Sequence, residues 1–331
     1  MKRVLVTGGL GFIGYHLSKA LLDEVDQVWI VDDLSNNVSH PKDFEVPRRN
    51  LISQLVRMYD PNSEWEKERR IVFVESDFSD QALLEKVEDN FFDKVFHLAA
   101  KPRVQWSVEN PIVSTQENFT KSIALAHACA KGNTRMIFSS TAAVYDSEIS
   151  IPTKEEDQIH CNPVSPYGMA KYAVERYLKL FEGLYGLDWV ALRYFNVYGP
   201  KQPGNSAYAT AIAAWCSKAV AKEPLRSDGD GTQTRDMVYV DDVVSANLCV
   251  AAANLCGKER VFNVGSGSRY SNNEILSKFA DRGYKNVVHA PERPGDIKHT
   301  LADTTRLQKL GWSPNVTFEE GLKLVMDYWE L

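Results

Sequence analysis

The sequence predicts an α/β fold, a doubly wound parallel sheet with helices on both faces and a smaller C-terminal lobe. In its N-terminal part, short apolar runs rich in β-branched residues alternate with segments of helical periodicity, which is typical of a parallel sheet. The first run, Val4–Val6, leads directly into three glycines at three-residue spacing, Gly8, Gly11 and Gly14. From Tyr198 onward the alternation stops, and prolines and glycines separate short elements, which predicts the lobe.

The composition limits the class of protein. A chain of 331 residues can bury a large core and has room for two domains. Its net charge of −6 argues against a nucleic-acid partner, because phosphate binding needs a basic surface. No apolar run approaches the length of a membrane span, and a strand is predicted within three residues of the N-terminus, so we expect neither a membrane partner nor a signal peptide. The five cysteines lack metal-ligand spacing, so we expect a cytoplasmic protein with reduced thiols and no metal.

The three spaced glycines predict a phosphate-binding turn of the Rossmann type, since they follow a strand and open a helix. Gly8 would permit the tight turn, Gly11 would let the backbone approach a pyrophosphate, and Gly14 would let the helix pack on the strand. The pyrophosphate would lie on the free N–H groups at the start of the helix, where the helix dipole favours an anion.

Asp32 ends the second apolar run, 18 residues after Gly14. A carboxylate at this strand end accepts hydrogen bonds from the ribose hydroxyls of NAD and repels the 2′-phosphate of NADP. We therefore expect NAD as the cofactor.

The later elements follow in order. The remaining predicted strands are Val28–Val31, Ile71–Val74, Val95–Leu98, Met136–Phe138, Trp189–Arg193 and Val261–Val264. The predicted helices are Gln81–Val87, Asn118–Lys131, Pro166–Tyr185 and Asp241–Ala253. Between the second and third strands the chain is polar and irregular, with a helix expected around Asn50–Tyr59 and a charged turn or helix at Trp65–Arg70. Asp77, after the third strand, would either meet an adenine or cap the helix at Gln81.

Tyr167 and Lys171 stand at i and i+4 in the long helix, so they share one face. A phenol in water has a pKa of about 10, and a nearby ammonium or nicotinamide cation would favour the phenolate. With a hydroxyl such as Thr141 on the proton path, this trio could remove a proton from an alcohol while hydride leaves for NAD. The alternative is an exposed amphipathic helix, because such pairs also arise by chance.

These features together resemble an extended short-chain dehydrogenase/reductase, and most closely a nucleotide-sugar 4-epimerase. The segments that carry the resemblance are Thr7–Gly14, His97–Ala100, Thr141, Tyr167–Lys171, Arg193–Asn196, Gly229–Asp242 and Arg293–Asp303. The resemblance implies Tyr167 as the base, Lys171 as the residue that holds the nicotinamide ribose and Thr141 as the hydroxyl partner.

The resemblance also implies a larger binding site. The implied NAD-binding residues are Gly8, Gly11, Phe12, Ile13, Gly14, Asp32, Asp77, Phe78, Leu98, Ala99, Ala100, Asn118, Ser139, Tyr167, Lys171 and Tyr194. The implied substrate-binding residues are Ser140, Thr141, Asn196, Arg235, Arg293, Asp296 and Thr300. Asn196, Asp296 and the two arginines would contact the nucleotide diphosphate, since an arginine fork matches a phosphate.

The predicted domain division follows from this site. Residues 1–197 and 236–263 would form the NAD-binding domain, and residues 198–235 and 264–331 would form the nucleotide-sugar lobe. The helices Asn118–Lys131 and Pro166–Tyr185 carry more apolar residues than one sheet face should cover. The resemblance suggests that they pair across a two-fold axis, so we expect a homodimer.

Two departures from the family pattern narrow the activity. Dehydratases and decarboxylases of the family carry an acid where this chain has Ala142 and Ala143, which argues against a lyase. Thr300 occupies a position where hexose-only epimerases have a bulky tyrosine, so the pocket should tolerate an N-acetyl group. Asp146, where the family usually has glycine, has no mechanistic account.

We therefore predict an NAD-dependent UDP-sugar 4-epimerase that works through a transient 4-keto sugar and accepts N-acetylated hexosamines. The alternatives are a UDP-glucuronate or UDP-glucose 4-epimerase, a lyase of the same family, and a non-catalytic NAD sensor. The intact Thr141, Tyr167 and Lys171 argue against the sensor.

Overall fold

The computed structural model describes residues 2–35, 70–145, 150–155, 161–204, 210–255, 259–291 and 297–331. A parallel sheet forms its centre. The strands of this sheet are β1 Arg3–Thr7, β2 Gln27–Asp32, β3 Ile71–Glu75, β4 Lys94–His97, β5 Arg135–Thr141, β6 Trp189–Tyr194 and β10 Val261–Val264. Their order is β10-β6-β5-β4-β1-β2-β3, and every neighbouring pair is parallel. The predicted doubly wound sheet is confirmed.

Helices flank the sheet and continue into the lobe. They are α1 Phe12–Leu21, α2 Gln81–Glu88, α3 Val104–Glu109, α4 Pro111–Thr115, α5 Lys121–Lys131, α6 Pro166–Tyr185, α7 Ala211–Val220, α8 Val240–Ala252, α9 Asn272–Asp281, α10 Thr305–Gln308 and α11 Phe318–Trp329. A π-helix spans Gln116–Thr120 and a 3₁₀ turn spans Ala142–Val144. None of the helices in the described ranges combines the length and the apolar character that a membrane crossing requires.

The two faces of the sheet support two separate cores, because successive side chains of a strand point to opposite faces. On β1, Leu5 lies in the core that contains α2, α5 and α6. Val4 and Val6 lie in the other core, with α1, α8 and much of the lobe. Each strand of the central sheet is therefore apolar on both sides, which explains its uninterrupted hydrophobic runs.

The lobe adds two small sheets. Its remaining strands are β7 Asn196–Tyr198, β8 Leu225–Asp228, β9 Thr234–Tyr239, β11 Arg269–Ser271 and β12 Val287–Ala290. The strands β11, β9 and β7 form one sheet in that order, and β12 pairs with β8 in the other. Only one residue separates β7 from the end of β6, so the lobe begins at the carboxyl edge of the central sheet.

The helix α6 agrees with the sequence at both ends. Ser165 caps it, since its Oγ accepts a hydrogen bond from the Gly168 N–H at 3.1 Å. Pro166 occupies the first turn, where its missing N–H does no harm. Gly186 ends the helix in the left-handed conformation, with φ of 71°.

The segment before α5 differs from the prediction. A continuous helix from Asn118 was expected, but the helical path begins at Val104 and passes through α3, α4 and the π-helix. The prediction failed because the apolar residues of α3 and α4 point outward and Pro111 interrupts the pattern. Ile112, for example, is 82% exposed.

The predicted alternative in which Asp77 caps α2 is wrong, and three other predictions fall outside the described residues. Asp77 does not cap α2, because Asp80 does so by accepting a hydrogen bond from the Ala82 N–H at 3.0 Å. The predicted helix Asn50–Tyr59, the charged segment Trp65–Arg70 except Arg70 itself, and Asp146 all lie outside the described residues.

Candidate active site

A cavity of about 390 Å³ opens at the carboxyl edge of the central sheet. At this edge β1 has β2 on one side and β4 on the other, so the loops after β1 and β4 diverge and leave a cleft. The predicted site residues that line the cavity are Gly8, Gly11, Phe12, Ile13, Gly14, Asp32, Asp77, Phe78, Leu98, Ala99, Ala100, Ser139, Ser140, Thr141, Tyr167, Lys171, Tyr194 and Asn196.

The glycine turn is packed so closely that larger residues would not fit. Gly8 has φ of 66°, and a Cβ placed on it would lie 2.8 Å from the Cα of Ala99. A Cβ on Gly14 would lie 2.1 Å from the main-chain oxygen of Gly8. The helix α1 starts directly after Gly11, which has no side chain to cap the first N–H groups. This backbone cradle fits the pyrophosphate of a dinucleotide.

Asp32 is fixed at the end of β2 by backbone donors. Its Oδ2 accepts a hydrogen bond from the Leu10 N–H at 3.1 Å, and its Oδ1 accepts one from the Leu34 N–H at 3.0 Å. The carboxylate is 7% exposed, and it faces the cavity beside the glycine turn. This position fits the ribose hydroxyls of NAD.

Asp77 is also held within the cavity wall. Its Oδ2 pairs with the Lys121 ammonium at 2.6 Å, and its Oδ1 accepts a hydrogen bond from the Ser79 Oγ at 2.6 Å. Burial raises the pKa of this carboxyl, but the hydrogen bonds from Lys121 and Ser79 outweigh burial and leave the pKa below its usual value.

Asn118 is placed behind the cavity. It is buried, and its Oδ1 accepts a hydrogen bond from the Lys101 N–H at 2.8 Å. Its Nδ2 donates to the main-chain oxygen of Ser114 at 3.0 Å. Asn118 thus holds the loop after β4, and Lys101 in that loop does line the cavity.

Tyr167, Thr141 and Lys171 meet at the floor of the cavity. The Thr141 side chain lies near the Tyr167 phenol, and its interaction with the phenol lowers the pKa of Tyr167. The Nζ of Lys171 donates to the main-chain oxygen of Ser139 at 2.9 Å and lies 4.6 Å from the centre of the Phe138 ring. The tyrosine is 8% exposed and the lysine 1%, so this helix face is buried and the exposed amphipathic helix is excluded.

Burial dominates the ionisation of both groups. It raises the pKa of Tyr167 to about 12, and the Thr141 side chain opposes this effect. It lowers the pKa of Lys171 to about 7, and the negative charge of Glu175 opposes that effect. The direction for the tyrosine differs from the predicted lowering, because loss of hydration outweighs the stabilisation of the phenolate.

Ser139, Ser140 and Tyr194 connect the cavity to buried polar groups. The Ser139 Oγ and the Tyr194 OH lie 3.1 Å apart, and the Tyr194 OH also donates to Asn247 Oδ1 at 3.0 Å. The Ser140 Oγ donates to Glu175. Sequence reasoning did not single out Glu175, although its spacing of four residues from Lys171 was a readable signal.

The remaining predicted substrate residues lie apart from this lining. Arg235, on β9, donates from Nη1 to the main-chain oxygens of Thr234 and Lys298 at 3.0 and 3.2 Å. Thr300 lies beside the same strand, where its Oγ1 accepts a hydrogen bond from the Asp236 N–H at 3.2 Å. Arg293 and Asp296 lie outside the described residues.

Comparison with known proteins identifies the family. Residues 4–265 match the NAD-dependent epimerase/dehydratase family. The chain belongs to this family. The predicted extended short-chain dehydrogenase/reductase family, the isomerase class and the NAD cofactor are thereby confirmed.

Three similar proteins show the range within the family. A putative UDP-glucose 4-epimerase of Methanocaldococcus jannaschii is 33% identical over 329 residues, which cover 98% of this chain and 97% of that one. The UDP-N-acetylglucosamine 4-epimerase of Methanobrevibacter ruminantium, solved with UDP-N-acetylmuramic acid, is 37% identical. It has a TM-score of 0.85 and a coverage of 99% of this chain and 98% of that chain. The UDP-glucuronic acid 4-epimerase of Bacillus cereus, solved with UDP-glucuronic acid and NAD, is 29% identical with a TM-score of 0.84 and 99% coverage of both chains.

Proposed function

We propose that this family member is a UDP-sugar 4-epimerase that interconverts sugars differing in configuration at C4. The observation that carries the proposal is the convergence of Tyr167, Thr141 and Lys171 at the floor of one cavity. The glycine turn and Asp32 line the same cavity. The proposed catalytic residues and the proposed cofactor-binding residues therefore face one cavity.

The chain's own residues account for the proton transfers. NAD, when bound, accepts the hydride from C4 and returns it to the other face of the sugar. Tyr167 takes the proton of the 4-hydroxyl as the hydride leaves and gives it back when the 4-keto group is reduced. The sugar must turn over in the cavity between the two half-reactions. Atoms and electrons balance over one cycle, so no second reductant is required.

Thr141 and Lys171 support Tyr167 in different ways. The Thr141 hydroxyl lies near the phenol and could relay the proton to the sugar oxygen. An ammonium carries three donors. One donor of Lys171 is used on the Ser139 oxygen, and the others are available for the nicotinamide ribose and for stabilising the phenolate by charge.

The residues after Thr141 favour an epimerase over a lyase. Ala142 and Ala143 lie in the 3₁₀ turn that follows β5, and neither side chain is acidic. Elimination of water from the keto intermediate would need a second acid or base close to the sugar. The 4-keto intermediate is therefore expected to return to a 4-hydroxyl sugar.

We propose further that acetamido sugars are accepted. Thr300 is small and is anchored through its hydroxyl to the backbone of β9, so its side chain occupies less volume than a tyrosine would. The family resemblance relates this position to the C2 substituent of the sugar. A tyrosine there would fill volume that an acetamido group needs.

The direct test is a substrate panel. Purified protein is incubated separately with UDP-glucose, UDP-N-acetylglucosamine and UDP-glucuronate, and the products are separated from their C4 epimers. We expect UDP-N-acetylgalactosamine to form at least as fast as UDP-galactose. Conversion of UDP-glucuronate alone would contradict the acetamido proposal, and release of water or carbon dioxide would contradict the epimerase.

A further inference from the structure

A buried carboxylate stands one helical turn beyond Lys171. Glu175 is 3% exposed and belongs to α6. Arg193, on β6, donates to both of its oxygens, from Nε to Oε1 at 3.0 Å and from Nη2 to Oε2 at 2.6 Å. The Ser140 Oγ also donates to Oε1. A carboxylate with this many charged and neutral donors is held in one position.

Ser140 places this carboxylate between the two anchors of the reacting residues. Its neighbour Ser139 accepts the hydrogen bond from Lys171, and the side chain of its other neighbour Thr141 interacts with the Tyr167 phenol. Glu175 therefore ties α6 to β5 at the residue between these two contacts. A shift of Ser140 would move Ser139 and Thr141 with it, and these are the residues that contact Lys171 and Tyr167 on α6.

Glu175 also determines whether the Ser140 hydroxyl can act as a donor or only as an acceptor of hydrogen bonds towards the cavity. A serine hydroxyl has one donor hydrogen, and Ser140 commits it to Glu175. The side chain, which lines the cavity, can then offer only acceptor lone pairs to a ligand. A sugar hydroxyl that points at Ser140 would have to donate.

The charge of Glu175 acts on Lys171. Several other described groups lie near the lysine or its carboxylate partner, among them Tyr145 and Tyr172, whose pKa values burial raises and the charge of Glu175 raises further. Tyr167 shares its helix, the Phe138 ring lies 4.6 Å away, Arg193 lies on the far side of Glu175, and His97 lies on β4. Burial holds the pKa of His97 well below its usual value, and Lys171 adds to this lowering, so the imidazole is neutral. Glu175 is the group whose charge raises the pKa of Lys171 against burial.

We infer that Glu175 is a positioning residue for the proposed epimerisation, since its carboxylate fixes Ser140 between the two anchors and places a negative charge one helical turn from Lys171. This inference rests on the proposed function. The competing explanation is that Glu175 only neutralises the buried guanidinium of Arg193. A merely neutralising role makes no demand on Ser140 or Lys171, so the two explanations predict different variants.

The test compares Glu175→Gln with the double variant Glu175→Gln/Arg193→Met. The amide still accepts a hydrogen bond from Ser140 but carries no charge. We expect kcat at pH 7 to fall by at least about tenfold, with little change in KM, and the alkaline limb of the kcat profile to move to lower pH. The double variant removes both partners of the Glu175–Arg193 pair, so it leaves neither of them as an unpaired buried charge. We therefore expect it to fold even if Glu175→Gln does not. Its alkaline limb of the kcat profile should also lie at lower pH than that of the wild type.

A matched control is Asp188→Asn. Asp188 also pairs with an arginine of β5, since its Oδ2 accepts from Arg135 Nε at 2.6 Å, but it lies at the opposite end of the strand pair from Lys171. Its loss should lower stability without moving the pH profile. Wild-type kcat and pH profile in the double variant would overturn the inference.

A second readout does not depend on activity. With lysine labelled by ¹³C at Cε, the Lys171 resonance is assigned by its loss in Lys171→Met. Its titration midpoint should move to lower pH in Glu175→Gln and in the double variant. An unchanged midpoint would overturn the inference even if kcat falls. A wild-type protein inactive on all UDP-sugars would instead refute the proposed function and leave this titration interpretable.

Discussion

Lys171 donates a hydrogen bond from Nζ to the main-chain oxygen of Ser139 at 2.9 Å. This contact fastens α6 to the carboxyl end of β5 at the level where Thr141 meets the Tyr167 phenol. The geometry of the reacting group is thus set by a strand and a helix with buried side chains, and not by a surface loop. The following predictions depend on that arrangement.

Replacing Tyr167 with phenylalanine should abolish turnover and leave the fold intact. Only the phenolic oxygen is removed, and loss of a positioned base costs roughly 10²–10⁴ in rate. The measurement is kcat for UDP-N-acetylglucosamine, with NAD content and the thermal midpoint as checks. Tyr172→Phe is the matched control, because Tyr172 lies on the same helix but lines a different cavity. Near-normal turnover in a folded Tyr167→Phe enzyme would remove Tyr167 as the base.

Replacing Lys171 with methionine should stabilise the fold at neutral and acidic pH. The native pKa is lowered to about 7, whereas an exposed lysine has a pKa of about 10.4. Between these values the unfolded chain holds a proton that the native chain lacks, so native stability rises with pH across this range. Below about pH 7 the full cost of the buried charge is present, roughly 3–5 kcal/mol. Urea unfolding at pH 6, 8 and 10 should show the gain shrinking as pH rises, and a constant gain would contradict the shift.

The purified protein should contain NAD, because a complete cycle returns the cofactor unchanged. Denaturation followed by an assay of the released nucleotide tests this, and recovery of NADP would contradict the role of Asp32. Gly14→Ala should lose the cofactor, since its Cβ would lie 2.1 Å from the Gly8 oxygen. Gly183→Ala adds the same methyl group to α6 with no neighbouring atom within 4 Å, so NAD content should be unchanged in this control.

We expect a homodimer in which α5 and α6 pair across a two-fold axis, with the exposed face of α3, α4 and α6 extending the interface. Val108, Ile112, Leu180 and Leu184 are all exposed on these helices, and such a surface is typical of an interface. Leu180→Glu/Leu184→Glu should give a monomer mass by light scattering at micromolar protein. Leu324→Glu introduces the same charge at an exposed leucine of α11 and should not change the mass. A monomeric wild type would refute the dimer.

Replacing Thr300 with tyrosine should depress the acetamido reaction selectively. Overfilling a packed site costs about 1–3 kcal/mol, or roughly 5- to 150-fold in selectivity. The ratio of kcat/KM for UDP-N-acetylglucosamine to that for UDP-glucose is the measured quantity. Thr300→Ser keeps the small volume and the hydroxyl that binds the Asp236 N–H, so its ratio should stay close to that of wild type. An unchanged ratio in the tyrosine variant would show that Thr300 does not border the C2 substituent.

The parts of this fold that follow a local rule could be predicted from the sequence. The glycine spacing, the apolar strands and the capped α6 each depend on neighbouring residues alone. The pairing of Glu175 with Arg193 could not, because it depends on how α6 lies across β6 and the two residues are 18 positions apart. The burial of Tyr167 could not be predicted from the sequence either. Its pKa was therefore expected to fall, although desolvation raises it.

The helices α3 and α4 were not predicted from the sequence for a different reason, which is that their apolar residues face outward. Sequence periodicity locates a helix by the side that it buries in its own chain. Where apolar residues such as Ile112 point away from that core, the signal disappears, although the helix is present.

The part of the lobe between β6 and β10 is inserted in the sheet, and the rest of the lobe follows β10. After β6 the chain builds β7, α7, β8 and β9 before it returns through α8 to supply β10, which pairs with β6 along Ala191–Tyr194. A ribosome must therefore synthesise much of the lobe before the edge of the sheet can close. Shortening the chain before Val261 would leave β6 as an open edge, so the two parts cannot be separated by simple truncation and should unfold in one cooperative transition.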